Sequence, residues 1–468
     1  MNPLFVLGLL GIAASGVNAS VPDMRPNILL LISDDQSWLH TSVMGDKVVK
    51  TPAFDQLARE GVLFPNAFAS APTCTASRGA LLTGQDLWRL GPGANQRSTL
   101  PAEHETYPDL LAGAGYHVGC GGKGWAPGNV KAGGRKAPPA GKPYKSFASF
   151  LKAKPPGAPF CYWFGSKNPH RPYDLDSGVR AGKDPAAVDV PPSLPDSLAV
   201  RKDLLDYYLE IERFDREVAG ILAKLDRAGF AENTIVVVTS DNGMPFPRGK
   251  ANLYDLGVRM PLVIRWPAEI PPNRVIEDFV SLVDVAPTFL AAAGLQPPRA
   301  MTGHSLLPVL RSDRQGIVDS ACDRAFFGRE RHALWYPSRA IRTRDYLYIR
   351  NYRPETTPRD CDPSPSLGEV LARWNDPVER RFYDQAFARR PAEELYDLRA
   401  DPDQLVNVAA ESSHATARKR LSKSLSAYQR ETNDPWLVGD GAYFKTAPTF
   451  RPKRLRGRLN VPERPTGE

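Results

Sequence analysis

The sequence predicts an α/β protein built on a large mixed, mostly parallel sheet sandwiched by helices, followed by a small antiparallel α+β unit. Three observations predict it. ILLLIS (28–33) and TIVVVTS (234–240) are unbroken apolar runs of strand length, the pattern of strands covered on both faces. Residues 203–229 carry helical apolar spacing and a glycine stop, as a crossover helix ahead of a parallel strand should. From about residue 320 the texture changes to short alternating pieces, RAIRTRDYLYIRNY and EELYDLRADPDQLVNVA, the mark of antiparallel strands.

A chain of 468 residues is long for one core, and the expected division is 24–320 and 321–468. Hydrophobic residues make up 42% of the chain, with 8 Trp, 16 Tyr and 19 Phe, which excludes a tail or linker. The formal charge of +8 comes mostly from clusters such as ARKRLSKSL and FRPKRLRGRL. These read as a solvated face and a basic tail, with an acidic polymer as the alternative partner; no nucleic acid is expected. Residues 1–19 carry an apolar run, LFVLGLLGIAA, before small residues at Val17 and Ala19, which reads as an export signal although no Lys or Arg precedes the run. No later segment reaches about eighteen apolar residues, so a periplasmic or secreted protein without stable membrane insertion is expected.

Taken in order, the strand at 28–33 releases Asp34 and Asp35 at its carboxyl end, where open α/β sheets place their sites. Two adjacent carboxylates repel unless a cation lies between them, which implies a hard metal. TPAFDQLAREG (51–61) reads as a short amphipathic helix with a glycine stop. CYWF (161–164) is a strand ending in Gly165 and Ser166, and Asn168 to Pro172 form a rigid turn that holds His170 between two prolines. The 130–145 and 182–197 stretches are Pro/Gly-rich loops suited to rim a pocket. The 203–229 helix is expected to carry acids in its first turn. The strand at 234–240 repeats the first device, releasing Asp241 and Asn242; oxygen ligands without imidazole or thiolate favour calcium or magnesium over zinc. FVSLVDVAPTFLAAAG reads as a helix with Pro287 at a start or kink, and SSHATARKRLSKSLSAYQRE as the helix of the small unit. EELYDLRADPDQLVNVA reads as a strand, a turn and the start of a helix, and the two strands of RAIRTRDYLYIRNY meet around Arg344 and Asp345.

The stretch VLFPNAFASAPTCTASRGALLTGQ (62–85) organises the rest. Cys74 stands at a helix start, where unpaired N–H groups and the helix dipole favour negative charge, and Arg78 follows one turn later on the same side. The string resembles the signature of the type I sulfatases, of the alkaline-phosphatase-like superfamily, whose cysteine is oxidised to formylglycine. Ala76 stands where proline is usual. The resemblance implies that Asp34, Asp35, Asp241 and Asn242, with an oxygen of modified Cys74, ligate Ca²⁺. It implies that Lys123, in YHVGCGGKGWAPGN, touches the sulfate, that His170 faces the scissile oxygen, and that Lys250 is the second sulfate-binding lysine. MPFPRGKANLY is similar to the heparan N-sulfatase (sulfamidase) branch. The family's histidine two residues after the first lysine is replaced by Trp125, followed by Ala126, so another residue substitutes or the loop is rearranged; His40 and His104 are the unassigned histidines nearest in sequence.

The implied activity is a sulfatase that cleaves sulfate esters or sulfamates of a sulfated glycan from its end, after maturation by a formylglycine-generating enzyme. Arg78, Lys123, Lys250 and the metal would neutralise the non-bridging oxygens and His170 would protonate the leaving group. Phosphodiesterases and phosphonate hydrolases of the same superfamily, and a non-catalytic glycan-binding member, are the rival readings. Of the five cysteines, at 74, 120, 161, 322 and 361, four remain if Cys74 is converted; they allow three pairings, among them Cys322 with Cys361.

Overall fold

The computed structural model describes residues 25–450. The export-signal reading and most of the basic tail lie outside the described residues. An eight-stranded sheet forms the centre. Its core is four parallel strands side by side: Thr234–Ser240, Asn27–Ser33, Phe160–Gly165 and His117–Gly122. Leu262–Arg265 then runs antiparallel beside Thr234–Ser240, which makes the sheet mixed. Every residue of Asn27–Ser33 and Thr234–Ser240 is buried, as strands covered by helices on both faces must be. A four-stranded antiparallel sheet follows, made of Arg324–Arg331, Trp335–Thr343, Tyr346–Asn351 and Glu393–Asp397, with the Ala415–Glu431 helix packed on it. Among the described residues, no helix is long and apolar enough to cross a membrane.

Register decides where the site falls. Ser33 pairs with Ser240, Ile32 with Gly165 and Gly165 with Gly122, so the four strands end level. The residues that follow them, Asp34, Asp241, Ser166 and Lys123, therefore emerge together at one edge. The backbones meet closely there: Lys123 N donates to Gly165 O at 2.6 Å, and a Cβ on Gly165 would lie 1.7 Å from Lys123 O.

The helix Pro52–Glu60 begins with proline at its first position. Its N-cap residue, Thr51, makes no side-chain cap. Asp215 supplies the cap from the long helix instead, accepting from Ala53 N (3.0 Å) and Phe54 N (2.9 Å). That long helix spans Leu198–Arg227 and starts five residues before the expected Asp203. Ser197 caps it, accepting from Val200 N, and its first turn holds no acid. Asp203 and Asp206 lie one to two turns in and point into the protein, where they bind Arg171 and the backbone N–H groups of Asp176 and Gly178.

Two further expectations differ. All five cysteines are free. Cys361 is packed with Val370, Phe382 and Phe387, while the Cys322 thiol lies 3.7 Å from Asp319 Oδ2, so the two do not pair. After Glu393–Asp397 the expected turn follows, with Asp401 N donating to Asp397 O, but no helix starts there: Asn407 Oδ1 accepts from Leu395 N and Ala409 N and laces the segment to the strand, and the helix begins only at Ala415. The 282–292 segment matches expectation, with a short 3-10 turn leading into Val285–Ala292 and Pro287 in the first turn.

The tight crossing at Gly165 yields a prediction. Gly165→Ala should cost about 3 kcal/mol or more, because its Cβ would strike fixed backbone. Urea unfolding of the variant checks this, and an unchanged midpoint would refute the strand-end geometry.

Candidate active site

Cys74 is the first residue of the helix Cys74–Thr83, which Gly84 ends in a left-handed cap. All ten helix residues are buried. The Cys74 sulfur lies 3.5 Å from Asp34 Oδ1 and 3.9 Å from Asp35 Oδ1. Asp35 adopts φ +75°, a left-handed conformation that costs a non-glycine residue about 1–2 kcal/mol. It is held there by its own N–H, which donates to Asp241 Oδ1 (3.1 Å), and by Asn242 Nδ2, which donates to Asp35 Oδ1 (2.8 Å).

Four cysteine and carboxylate ligands, from Asp34, Asp35, Cys74 and Asp241, come within 4.8 Å of one another. Asn242 Oδ1 beside them is buried and has no hydrogen-bond partner. A compact set of carboxylate oxygens with an orphaned amide oxygen fits a hard divalent cation, and no imidazole joins the set. The sulfur of Cys74 stands where an oxygen of the modified residue would be.

Three cations enclose these acids. Arg78 is fully buried: Nε donates to Asp241 Oδ2 (2.7 Å), Nη1 to the carbonyls of Lys123 (2.9 Å) and Gly124 (3.2 Å), and Nη2 to Ser33 O (3.5 Å). Its donors tie strand ends and the following loop together. Lys123 Nζ lies 2.6 Å from both oxygens of Asp34, and Lys250 Nζ lies 2.6 Å from Asp35 Oδ2. Burial alone would raise the Asp34 pKa, but Lys123 and then Arg78 hold the carboxyl far below its usual range. Burial raises the Cys74 thiol well above its usual value against the pull of Lys123 and Lys250.

His170 Nε2 lies 3.8 Å from Asp35 Oδ2, and its Nδ1 contacts Arg171 O. The turn is fixed by Arg171, which donates to both oxygens of Asp203 (2.7 and 2.8 Å) and to Pro245 O (2.9 Å). Ser366 Oγ donates to the same Asp203, joining a C-terminal helix to the arrangement. Trp125 is turned away into the core: a Cβ on Gly79 would lie 3.6 Å from its Nε1, and one on Gly128 would lie 2.4 Å from its ring. His40 is paired with Asp46 at 3.0 Å and packed against Tyr207 and Tyr208, and His104 faces Glu103. Neither belongs to the cluster. Of these histidines, His170 is the one that approaches the acids around Cys74.

Sequence reasoning missed Asp362, whose Oδ2 lies 3.6 Å from Lys250 Nζ. It also missed the Arg171–Asp203 pair. No local pattern marks either, since both are contacts between segments distant in sequence. The 182–197 loop rims a cavity of about 490 Å³ with Trp38, His40 and Arg259, but Cys74, Lys123 and Lys250 do not line it. The 130–145 loop is fastened elsewhere, with Ala102 N donating to Gly133 O.

The sulfatase family model matches residues 26–136 and 142–295, and the model of the N-sulphoglucosamine sulphohydrolase C-terminal region matches 249–364. An ulvan-active sulfatase of Formosa agariphila is 29% identical over 421 residues, covering 88% of this chain and 81% of the relative. Human N-sulphoglucosamine sulphohydrolase is 29% identical, covering 88% and 92%. A solved structure in complex with its substrate D-glucosamine-2-N,6-O-disulfate shares the fold, with a TM-score of 0.70 at 20% identity over 89% of this chain and all of that one.

Removing one partner of the buried Arg171–Asp203 pair should be costly. Asp203→Ala leaves a guanidinium buried without its counter-ion, and a loss of about 3–5 kcal/mol is expected in urea unfolding. A loss below about 0.5 kcal/mol, typical of surface changes, would remove this pair as the support of the His170 turn.

Proposed function

Since the chain belongs to the sulfatase family of sulfuric ester hydrolases, we propose that it releases sulfate from the end of a sulfated glycan, with a formylglycine at position 74 as nucleophile and Ca²⁺ as metal. The observation that carries this is the placement of Cys74 at a buried helix start, between three carboxylates and two lysines that share one point. Asp34, Asp35, Asp241 and Asn242 would hold the cation. Formylglycine at position 74 would provide, as its hydrate, a hydroxyl nucleophile and a second hydroxyl for release of sulfate, and Ca²⁺ held by these residues would provide positive charge beside it.

The chain's own residues do the rest. Lys123 and Lys250 each bind one of the two carboxylates that Cys74 faces, Asp34 and Asp35, and would hold a sulfuryl group between them. Their ammonium groups neutralise its non-bridging oxygens as charge moves onto them. Arg78 holds Asp241 and the ends of the neighbouring strands, so the cationic wall needs no rearrangement during the reaction. His170, on its fixed turn, gives a proton to the leaving oxygen or nitrogen. Trp125 is packed into the core and its indole N–H does not titrate, so the proton work falls to His170.

For the substrate, the match of residues 249–364 to the N-sulphoglucosamine sulphohydrolase C-terminal region supports a glucosamine sulfate or sulfamate, since Lys250 lies within that region. The apolar run and small residues of the amino-terminal sequence support export to the periplasm or medium, and CTASR supports maturation by a formylglycine-generating enzyme. A phosphonate monoester hydrolase of Agrobacterium radiobacter has the same fold with a TM-score of 0.66, at 20% identity. A panel of sugar sulfates and aryl phosphate diesters, with and without chelator, separates the two chemistries.

Protein from an aerobic host should carry a peptide ending at Arg78 about 18 Da lighter than the cysteine form, by mass spectrometry. Full activity with unmodified Cys74 would end the nucleophile assignment, and Cys74→Ala should abolish turnover while leaving the fold. Removing the metal should lower Tm as well as activity, since a cation bound only to the folded state adds about 2.7 kcal/mol at a hundredfold excess over Kd. Recovery of both on adding Ca²⁺ is expected; an unchanged Tm after metal analysis confirms depletion would refute the carboxylate site.

A further inference from the structure

We propose that Asp362 is a specificity-determining residue that accepts a hydrogen bond from a hydroxyl of the sugar bearing the reacting sulfate and repels a second anionic substituent there. The inference rests on the glycan reading above and deepens it.

Asp362 comes from the segment after the first three strands of the small sheet, far in sequence from the strand-end acids, yet it faces the same lysine. Its Oδ2 is buried and 3.6 Å from Lys250 Nζ, too long for a hydrogen bond, and that oxygen has no hydrogen-bond partner. Asp34, Asp35 and Asp241 each engage a lysine or Arg78 closely. Asp362 is thus the acid at this site whose acceptor capacity is left over.

Accessibility separates it further. The side chains of Asp35 and Asp241 expose none of their surface, whereas Asp362 keeps 13%, Lys123 12%, Lys250 6% and His170 35%. Asp362 therefore belongs with the groups that a substrate meets, through the part of its side chain other than Oδ2, which is buried against Lys250. Burial would raise its pKa, but Lys250 and then His170, His332 and Arg171 draw it down to about 2, so it is ionised at neutral pH.

The position is built. The adjacent Asp360 accepts from Arg329 Nη2 (2.8 Å) and from the backbone N–H groups of Ala333 and Leu334. Arg329 also donates to the carbonyl of Ala251, next to Lys250. The loop carrying Asp362 and the loop carrying Lys250 are thereby fastened to one arginine.

A fixed carboxylate beside a sulfate-binding lysine has two effects. It satisfies a hydroxyl that would otherwise lose its water, and its charge opposes any further sulfate or carboxylate on the sugar ring. Both select a ring whose anionic charge is confined to the reacting group.

The test takes a monosulfated glucosamine that the wild type cleaves and the same sugar with one further sulfate, and measures kcat/KM for each with wild type, Asp362→Asn and Asp362→Glu. Wild type should prefer the monosulfated sugar. Asp362→Asn should reduce that preference at least about tenfold, through a higher KM for the monosulfated and a lower KM for the disulfated substrate. Asp362→Glu keeps the charge and should keep the preference. Equal change on both substrates in the Asn variant, or loss of preference in the Glu variant, overturns the proposal. If only the Glu variant folds, its ratio decides by the same criterion. Failure of wild type to release sulfate from any sugar overturns the glycan reading and this inference together, whereas release with an unmoved ratio overturns this inference alone.

Discussion

The level ending of four parallel strands is the constraint on which the rest depends. Because Ser33 and Ser240 are paired, Asp34, Asp35 and Asp241 must turn out of the sheet at one place, beneath the Cys74 helix and out of water. Desolvating an ion costs several kcal/mol, and three like charges add mutual repulsion. The fold offsets this with Arg78, Lys123 and Lys250, one cation for each acid. Arg78 contributes most to geometry, since its donors reach an acid, the end of one strand and the loop after another. The strain at Asp35 belongs to the same arrangement: its left-handed backbone aims the N–H at Asp241 and the side chain at Lys250.

The small sheet completes this centre. Arg342, on one of its strands, donates twice to Asp255, at 3.0 Å each, and Arg248 donates to Gln385 O (2.7 Å) while lying 3.7 Å over the Tyr254 ring. These contacts grip residues 248–255 from the C-terminal side, with Lys250 inside the gripped stretch. Arg248 and Ala251 both take φ +66°, so the lysine stands on a backbone path that the chain would leave without such support. The small sheet and the segments around it thus help to fix the backbone that carries Lys250.

Much of this was legible in the sequence, for a physical reason. Strands buried on both faces must be continuous apolar runs, and acids placed directly after them are conspicuous; Asp34, Asp35 and Asp241 stood out on that ground. The Cys74 helix declared itself by its glycine stop and short motif. What was hidden depended on partners far along the chain. Asp203 looked like a first-turn helix acid because its true partner, Arg171, lies 32 residues away. Asp215 caps a helix that ends 155 residues before it, and Asp362 meets Lys250 across 112. Trp125 marked a departure from the family, but only packing against Gly79 and Gly128 shows that its ring left the site altogether.

The same packing explains why a plain cysteine would be a poor nucleophile at position 74. A reactive thiol needs an environment that stabilises the thiolate, usually a cation or helix start with solvent access. Position 74 has the helix start and two lysines, but both lysines are already committed to carboxylates, and two carboxylate oxygens lie within 4 Å of the sulfur. Burial dominates, Asp241 and Asp34 oppose negative charge there, and the protein's own groups leave the thiol neutral. A hydroxyl differs in strength, since it donates to the same acids better than the weak S–H donor does, and it can lose its proton as it attacks. The acid-lined pocket is therefore matched to an oxygen nucleophile, which links the strand register that gathered the acids to the chemical conversion that the motif around Cys74 implies.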